Sequence, residues 1–142
     1  MTSAVVETDT SSSESVRGGG ETIFVAEDDQ EVRNLIKNIL VEFGYAIIEA
    51  EDGDDAISKF NEHANIDLLI LDSVMPKSNG KAVYDEIHAT NSHIKVIFTS
   101  GYTRDVILDK GIEDKKFDFI PKPLSPKELL ETVRKTLDRK QQ

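Results

Sequence analysis

The chain has 142 residues, 38% hydrophobic and 31% charged, which is enough for one globular domain with its own core. It has no cysteine, which excludes disulfide scaffolds, cysteine-bound metal centres and thiol nucleophiles. Lys and Arg number 17 against 27 Asp and Glu, and the resulting net charge of −10 argues against direct binding to nucleic acid. No apolar run approaches the roughly 18 residues of a membrane span, so we expect a cytoplasmic chain without membrane contact.

The first 20 residues differ in composition from the rest. Residues 8–15 are small and polar, and three consecutive glycines follow at residues 18–20. Such a segment buries too little apolar surface to offset the entropy lost on ordering, so we expect residues 1–20 to be a disordered tail or linker. The folded domain is then expected over residues 21–140.

Short apolar runs alternate with amphipathic helical patterns five times along this domain. The predicted strands cover residues 23–26, 45–49, 68–71, 94–98 and 117–120. The predicted helices follow them at residues 32–43, 56–64, 82–89, 103–109 and from residue 125 onward. Alternation of this kind predicts an α/β fold of (βα)5 order, with a parallel sheet and helices on both of its faces.

Individual elements carry their own signals. Apolar residues from Val32 to Phe43 recur at helical spacing, which indicates an amphipathic first helix. The run 68–71 is continuously apolar, as expected of a central strand covered on both faces. The last helix begins with Ser125, Pro126 and Glu128, a serine cap with proline at the first position and the glutamate of a capping box.

Polar residues follow directly after four of the predicted strands. They are Glu27, Asp28 and Asp29 after the first, Asp72 after the third, Thr99 and Ser100 after the fourth, and Lys122 and Pro123 after the fifth. The carboxyl ends of parallel strands meet at one rim, where α/β proteins place their functional sites. Carboxylates gathered there repel one another unless a hard cation such as Mg²⁺ joins them. With a hydroxyl and a lysine nearby, the set predicts Mg²⁺-assisted phosphoryl transfer, in which a carboxylate can be the nucleophile.

Each of these residues also has a simpler interpretation. An acidic cluster before a helix often only caps the helix, Thr99 could form a turn, and Lys122 could be a solvated surface residue. Asp72 is the exception, because a carboxylate after a fully apolar strand is costly to bury unless it is used. Chance is a poor explanation for polar residues at four strand ends together.

These motifs resemble the receiver (response-regulator) domains of two-component phosphorelay signalling, over residues 22–139. The matching segments are Val25–Asp29, Leu71–Pro76 with Asn79-Gly80, Phe98–Gly101, and Lys122-Pro123. The resemblance implies a flavodoxin-like sheet of order 2-1-3-4-5 and Mg²⁺-dependent acceptance of a phosphoryl group from a phosphohistidine donor. Such a domain catalyses its own phosphorylation and dephosphorylation and turns over no separate substrate.

The resemblance also assigns the metal ligands. Asp72 corresponds to the aspartate that is phosphorylated and also contacts the metal. Asp28 corresponds to a direct Mg²⁺ ligand and Glu27 to an acidic residue that acts through water, with a one-place shift toward Asp29 left open. Val74 would supply its backbone carbonyl to the metal.

Four further positions match the residues that sense the phosphoryl group. Thr99 corresponds to the hydroxyl that bonds a phosphoryl oxygen and moves on activation. Lys122 corresponds to the lysine that pairs with the phosphoryl group, and its bond to Pro123 is cis in the family. Phe119 is at the position of a rotating aromatic switch residue, although a plain core role has equal weight.

The implied partners are a histidine kinase or phosphotransfer domain as phosphodonor and a downstream protein that the sequence does not identify. We expect a monomer or weak dimer. The chain ends near residue 140 without a DNA-binding segment, so its output would pass through a partner or a larger parent. The glycine-rich N-terminal junction favours the C-terminal receiver of a hybrid sensor histidine kinase over a free-standing regulator.

Two alternatives remain at this point. A receiver-like interaction module that is never phosphorylated would not need Asp72, Thr99 and Lys122 together. A phosphatase with an aspartate nucleophile would need a second aspartate two residues after Asp72, where this chain has Val74.

Overall fold

A computed structural model of the chain describes residues 18–63, 65–75, 77, 79–100, 118–121 and 125–139. The strands in these residues are β1 (Thr22–Ala26), β2 (Ala46–Ala50), β3 (Leu68–Asp72), β4 (Lys95–Ser100) and β5 (Asp118–Pro121). The helices are α1 (Gln30–Glu42), α2 (Gly53–Glu62), α3 (Gly80–Thr90) and α4 (Pro126–Asp138). The helix predicted at residues 103–109 and positions 1–17 of the predicted tail lie outside the described residues.

All five strands pair in parallel, in the order β2-β1-β3-β4-β5. This order and the helices on both faces confirm the predicted α/β fold with a flavodoxin-like sheet. β3 lies at the centre, and each of its residues is buried, as its continuously apolar sequence indicated.

The helices form one layer on each face of the sheet, and each layer encloses an apolar core. On one face α1 and α4 cover a cluster that includes Ile36, Leu40 and Val133. On the other face α2 and α3 cover a cluster that includes Phe60 and Val83. Because both faces are covered, the loops at the strand ends are where polar groups can gather.

A side chain caps the N-terminus of each described helix. The caps are Asp29 for α1, Asp52 for α2, Asn79 for α3 and Ser125 for α4, and each accepts hydrogen bonds from backbone N–H groups of the first turn. The Ser125 cap was predicted from the sequence, with proline at the first helical position. Each of the four helices comes after the carboxyl end of a parallel strand, so helix capping helps to shape the carboxyl rim.

The chain enters the domain along the opposite, amino-end side of the sheet. The N–H of Gly19 donates to the carbonyl of Phe43 at 3.1 Å. Gly44 follows with a φ of +100°, and a Cβ atom on it would lie 2.6 Å from the Gly19 carbonyl oxygen. Glycine is therefore required at this crossing of two backbones. Within the described part of the chain, no helix combines the length and the apolar character needed to cross a membrane.

Candidate functional site

Three carboxylates meet at the carboxyl rim of the sheet. Glu27 and Asp28 follow β1, Asp72 ends β3, and an oxygen from each lies within 4.8 Å of the other two. Glu27 and Asp72 are 1% and 4% exposed, whereas Asp28 faces solvent. Two buried carboxyl groups and one exposed carboxyl group therefore form an acidic cluster that reaches the surface at Asp28.

The loop between β1 and α1 sets the position of Glu27. The backbone N–H of Glu27 donates to the carbonyl of Ala50 at the end of β2, at 3.1 Å. Its side-chain Oε2 accepts from the N–H of Asp29 at 3.0 Å. The Arg33 guanidinium donates to its backbone carbonyl at 2.7 Å. Glu27 is thus held by three contacts that reach β2, α1 and its own loop.

Asp29 has a different task from its two acidic neighbours. Its Oδ1 accepts from the N–H groups of Glu31 and Val32, at 2.9 and 3.3 Å, which makes it the cap of α1. The carboxylates that approach Asp72 are those of Glu27 and Asp28. The roles of Glu27 and Asp28 as metal ligands remain a prediction.

Asp72 lies beside Thr99 on the neighbouring strand. The two residues are register partners of β3 and β4, and Thr99 is 1% exposed. The Thr99 carbonyl accepts from the N–H of Ser73 at 2.8 Å. The N–H of Val74 donates to Oδ1 of Asp72 at 3.2 Å, so the loop after β3 folds back over this carboxylate.

Phe119 lies in β5, opposite Phe98 of β4. Their ring centroids are 5.9 Å apart, and Phe98 in turn makes an edge contact with Tyr84 of α3 at 6.2 Å. Phe119 is partly buried. Its proposed switching role remains a prediction. Lys122, Pro123 and the predicted helix at 103–109 lie outside the described residues, and their roles remain predictions as well.

The donor set fits a hard divalent cation. Carboxylate oxygens are the protein ligands that Mg²⁺ prefers, and Mg²⁺ keeps water or phosphate oxygens on its remaining positions. An open side at Asp28 suits this partial hydration. A cation there would also offset the repulsion among three closely spaced carboxylates.

The sequence model of the response regulator receiver domain matches residues 23–134, nearly the whole sheet-and-helix domain. The chain belongs to this family. It is 35% identical over 122 residues to the sensor kinase CckA of Brucella abortus, a match that covers 85% of this chain and 13% of the kinase. It is 32% identical to the chemotaxis protein CheY of Bacillus subtilis, covering 82% of this chain and 97% of that protein.

A solved structure shows the same fold. The structure of a CheX–CheY–BeF3–Mg²⁺ complex from Borrelia burgdorferi superposes with a TM-score of 0.72 at 27% identity, covering 84% of this chain and 90% of the other. The predicted receiver class is therefore confirmed, and no observation favours an unphosphorylated interaction module or a phosphatase.

Two features of the site were not predicted from the sequence. Gly80, recognised only as part of a motif, has no room for a side chain, because a Cβ atom there would lie 2.5 Å from the carbonyl oxygen of Asp72. Arg33 was assigned no role from the sequence, yet its guanidinium donates to the backbone carbonyl of Glu27. An arginine one turn after an acidic loop is a weak signal, since most such residues face solvent.

Proposed function

We propose that this receiver domain accepts a phosphoryl group on Asp72 in a Mg²⁺-dependent reaction. The observation that carries the proposal is the meeting of Glu27, Asp28 and Asp72 at the end of the central strand. A phosphohistidine of a histidine kinase or phosphotransfer domain is the proposed donor. The Mg²⁺ present in the related CheY complex supports the same cofactor here.

The proposed step is an in-line displacement at phosphorus. A carboxylate oxygen of Asp72 forms the new P–O bond while the P–N bond to the donor histidine breaks, and the departing imidazole nitrogen takes a proton from solvent. Bound Mg²⁺ would neutralise charge between the carboxylate and the phosphoryl oxygens. The N–H of Val74 holds Oδ1 of Asp72 at 3.2 Å, which orients the carboxylate before transfer.

The roles of the remaining rim residues belong to the same proposal. Glu27 and Asp28 hold the metal, Val74 adds its backbone carbonyl, and the Thr99 hydroxyl meets a phosphoryl oxygen. Lys122 pairs with the phosphoryl group. Phe119 changes its packing when Asp72 is phosphorylated, and this alters the surface that the downstream protein binds. The similarity to the CckA kinase supports a hybrid sensor kinase as the parent protein.

The proposal is tested by intact-protein mass spectrometry after incubation with acetyl phosphate. The wild-type chain should gain one phosphoryl group in the presence of Mg²⁺ and none after chelation with EDTA. Asp72→Asn should gain none, because its amide cannot serve as the nucleophile. Asp54→Asn, which changes an exposed aspartate of α2, is the matched control and should be labelled like the wild type. Equal labelling of the Asp72→Asn variant would contradict the assignment.

A further inference from the structure

Arg33 joins three parts of the molecule next to the acidic cluster. It belongs to the first turns of α1, and its side chain is only 13% exposed. Nη1 donates to the backbone carbonyl of Glu27 at 2.7 Å, and Nε donates to Oε1 of Glu49 in β2 at 3.3 Å. One planar guanidinium therefore connects α1, the loop after β1 and the end of β2.

These contacts hold Glu27 on both sides of its Cα atom. On the amino side its N–H donates to Ala50 of β2, and on the carboxyl side its carbonyl accepts from Arg33. Glu49, the anchor of Arg33, directly precedes Ala50. Both restraints therefore lead to the same strand end, and the loop that carries Glu27 and Asp28 is fixed against β2.

The restraint opposes a force that the cluster itself creates. Three carboxylates within 4.8 Å repel one another, and without a cation that repulsion favours opening of the loop after β1. Asp28 is exposed and would move outward with that loop if the loop opened, whereas Asp72 lies in the central strand. A contact to the Glu27 backbone can keep the loop closed without occupying any carboxylate oxygen of the cluster.

We propose that Arg33 is a positioning residue for the metal site, which holds the Glu27–Asp28 loop in its binding geometry before the cation arrives. This inference rests on the proposed Mg²⁺ binding by the cluster. Arg33 acts through the backbone and does not touch the cation. Groups that orient metal ligands in this indirect way typically change affinity by about 10–100-fold when removed.

The sign of the effect separates positioning from simple electrostatics. Arg33 is a cation close to a cation site, so removing its charge would tighten Mg²⁺ binding if charge were its only contribution. Loss of loop positioning instead weakens binding. Lys37 provides the matched control, because its Nζ contacts the other oxygen of Glu49 at 3.1 Å.

The test is a titration of the full ¹⁵N-labelled chain with MgCl2, followed by backbone amide shifts, for the wild type, Arg33→Gln, Arg33→Lys and Lys37→Gln. Thermal unfolding of each variant is measured in parallel. We expect Arg33→Gln to raise the Mg²⁺ dissociation constant about tenfold. Lys37→Gln should bind as tightly as the wild type or slightly more tightly. Arg33→Lys retains the charge but lacks the two-pronged geometry, so it should remain weakened.

Each outcome decides the inference. Folded Arg33→Gln that binds Mg²⁺ as tightly as the wild type, or more tightly, overturns it. If Arg33→Gln does not fold, Arg33→Lys decides in the same way. Asp28→Asn serves as the control that lacks a metal ligand. If the wild-type chain shows no more saturable Mg²⁺ shift than Asp28→Asn does, the proposed metal site itself is refuted. The two failures are therefore distinguishable.

Discussion

At the scale of single residues, the backbone around Asp72 leaves no room for a side chain at Gly80. Gly80 opens α3, and its N–H donates to the carbonyl of Ser73 at 3.1 Å. A Cβ atom on Gly80 would lie 2.5 Å from the Asp72 carbonyl oxygen and 3.2 Å from Cα of Ser73. Both neighbours are backbone atoms, which cannot rotate away as a flexible side chain can. The start of α3 therefore fixes the depth at which Asp72 sits in the rim.

We predict that Gly80→Ala pushes α3 away from β3 and disturbs Asp72. The expected cost is about 1–3 kcal/mol in the free energy of unfolding, measured with urea. Labelling by acetyl phosphate should slow about tenfold or more, because the nucleophile is displaced. Gly20→Ala is the matched control, since a Cβ atom at Gly20 meets nothing within 4 Å. Unchanged stability and labelling in Gly80→Ala would show that the rim tolerates the added methyl group.

At the scale of elements, the junction of β1 and α1 divides three acidic residues between two tasks. β1 ends at Ala26 and α1 begins at Gln30, so only Glu27, Asp28 and Asp29 connect them. Orphan N–H groups at the start of α1 need an acceptor, and Asp29 supplies it. The other two carboxylates are left for the cluster around Asp72.

This division predicts opposite effects for neighbouring substitutions. Asp29→Ala should lower the free energy of unfolding by about 1 kcal/mol through loss of the cap, with Mg²⁺ affinity within about threefold of the wild type. Asp28→Asn should weaken Mg²⁺ binding about tenfold or more, with stability unchanged or higher because repulsion falls. Urea unfolding and MgCl2 titration by NMR measure the two properties. If Asp29→Ala strongly weakens Mg²⁺ binding and Asp28→Asn does not, the metal ligand is Asp29, one residue further along the chain than proposed.

At the scale of the whole molecule, Arg134 joins the first and last described segments of the chain. It lies in α4 and donates to the carbonyl of Gly18 at 3.1 Å, to Oε2 of Glu21 at 2.8 Å and to Oδ1 of Asp138 at 2.8 Å. It also reaches the Tyr45 hydroxyl at 3.3 Å. Hydrogen bonding to the Arg134 guanidinium holds the pKa of Glu21 below its ordinary value of 4.5.

A depressed folded-state pKa makes this contribution dependent on pH. Glu21 stabilises the fold above pH 4.5, where the unfolded chain is also ionised, and the contribution is lost as pH falls through the lower folded pKa. Glu21→Gln should therefore lower the free energy of unfolding by about 1 kcal/mol near pH 7, and the difference from the wild type should shrink as the pH falls below 4.5. Urea unfolding across pH tests this, with exposed Glu62→Gln as control. Parallel profiles for wild type and Glu21→Gln would refute the linkage.

The sequence by itself determined the alternation of strands and helices, the central place of residues 68–71 and the acidic character of the rim. These features follow from local pattern, because apolar periodicity and polar residues after strands are properties of neighbouring positions. The Ser125 cap belongs to the same class. The order of the sheet came from resemblance, since alternation permits several strand orders.

Only the tertiary structure decided which acidic side chains meet. Whether Asp28 or Asp29 faces Asp72 depends on where α1 begins. Asp29 is the N-cap of α1, and it is Asp28 whose carboxylate lies near Asp72. The contacts of Arg33 with Glu27 and of Arg134 with Glu21 join elements whose positions are set by packing on the sheet. A long, flexible cationic side chain can reach several partners, so its sequence neighbours do not select one, and the surrounding fold does.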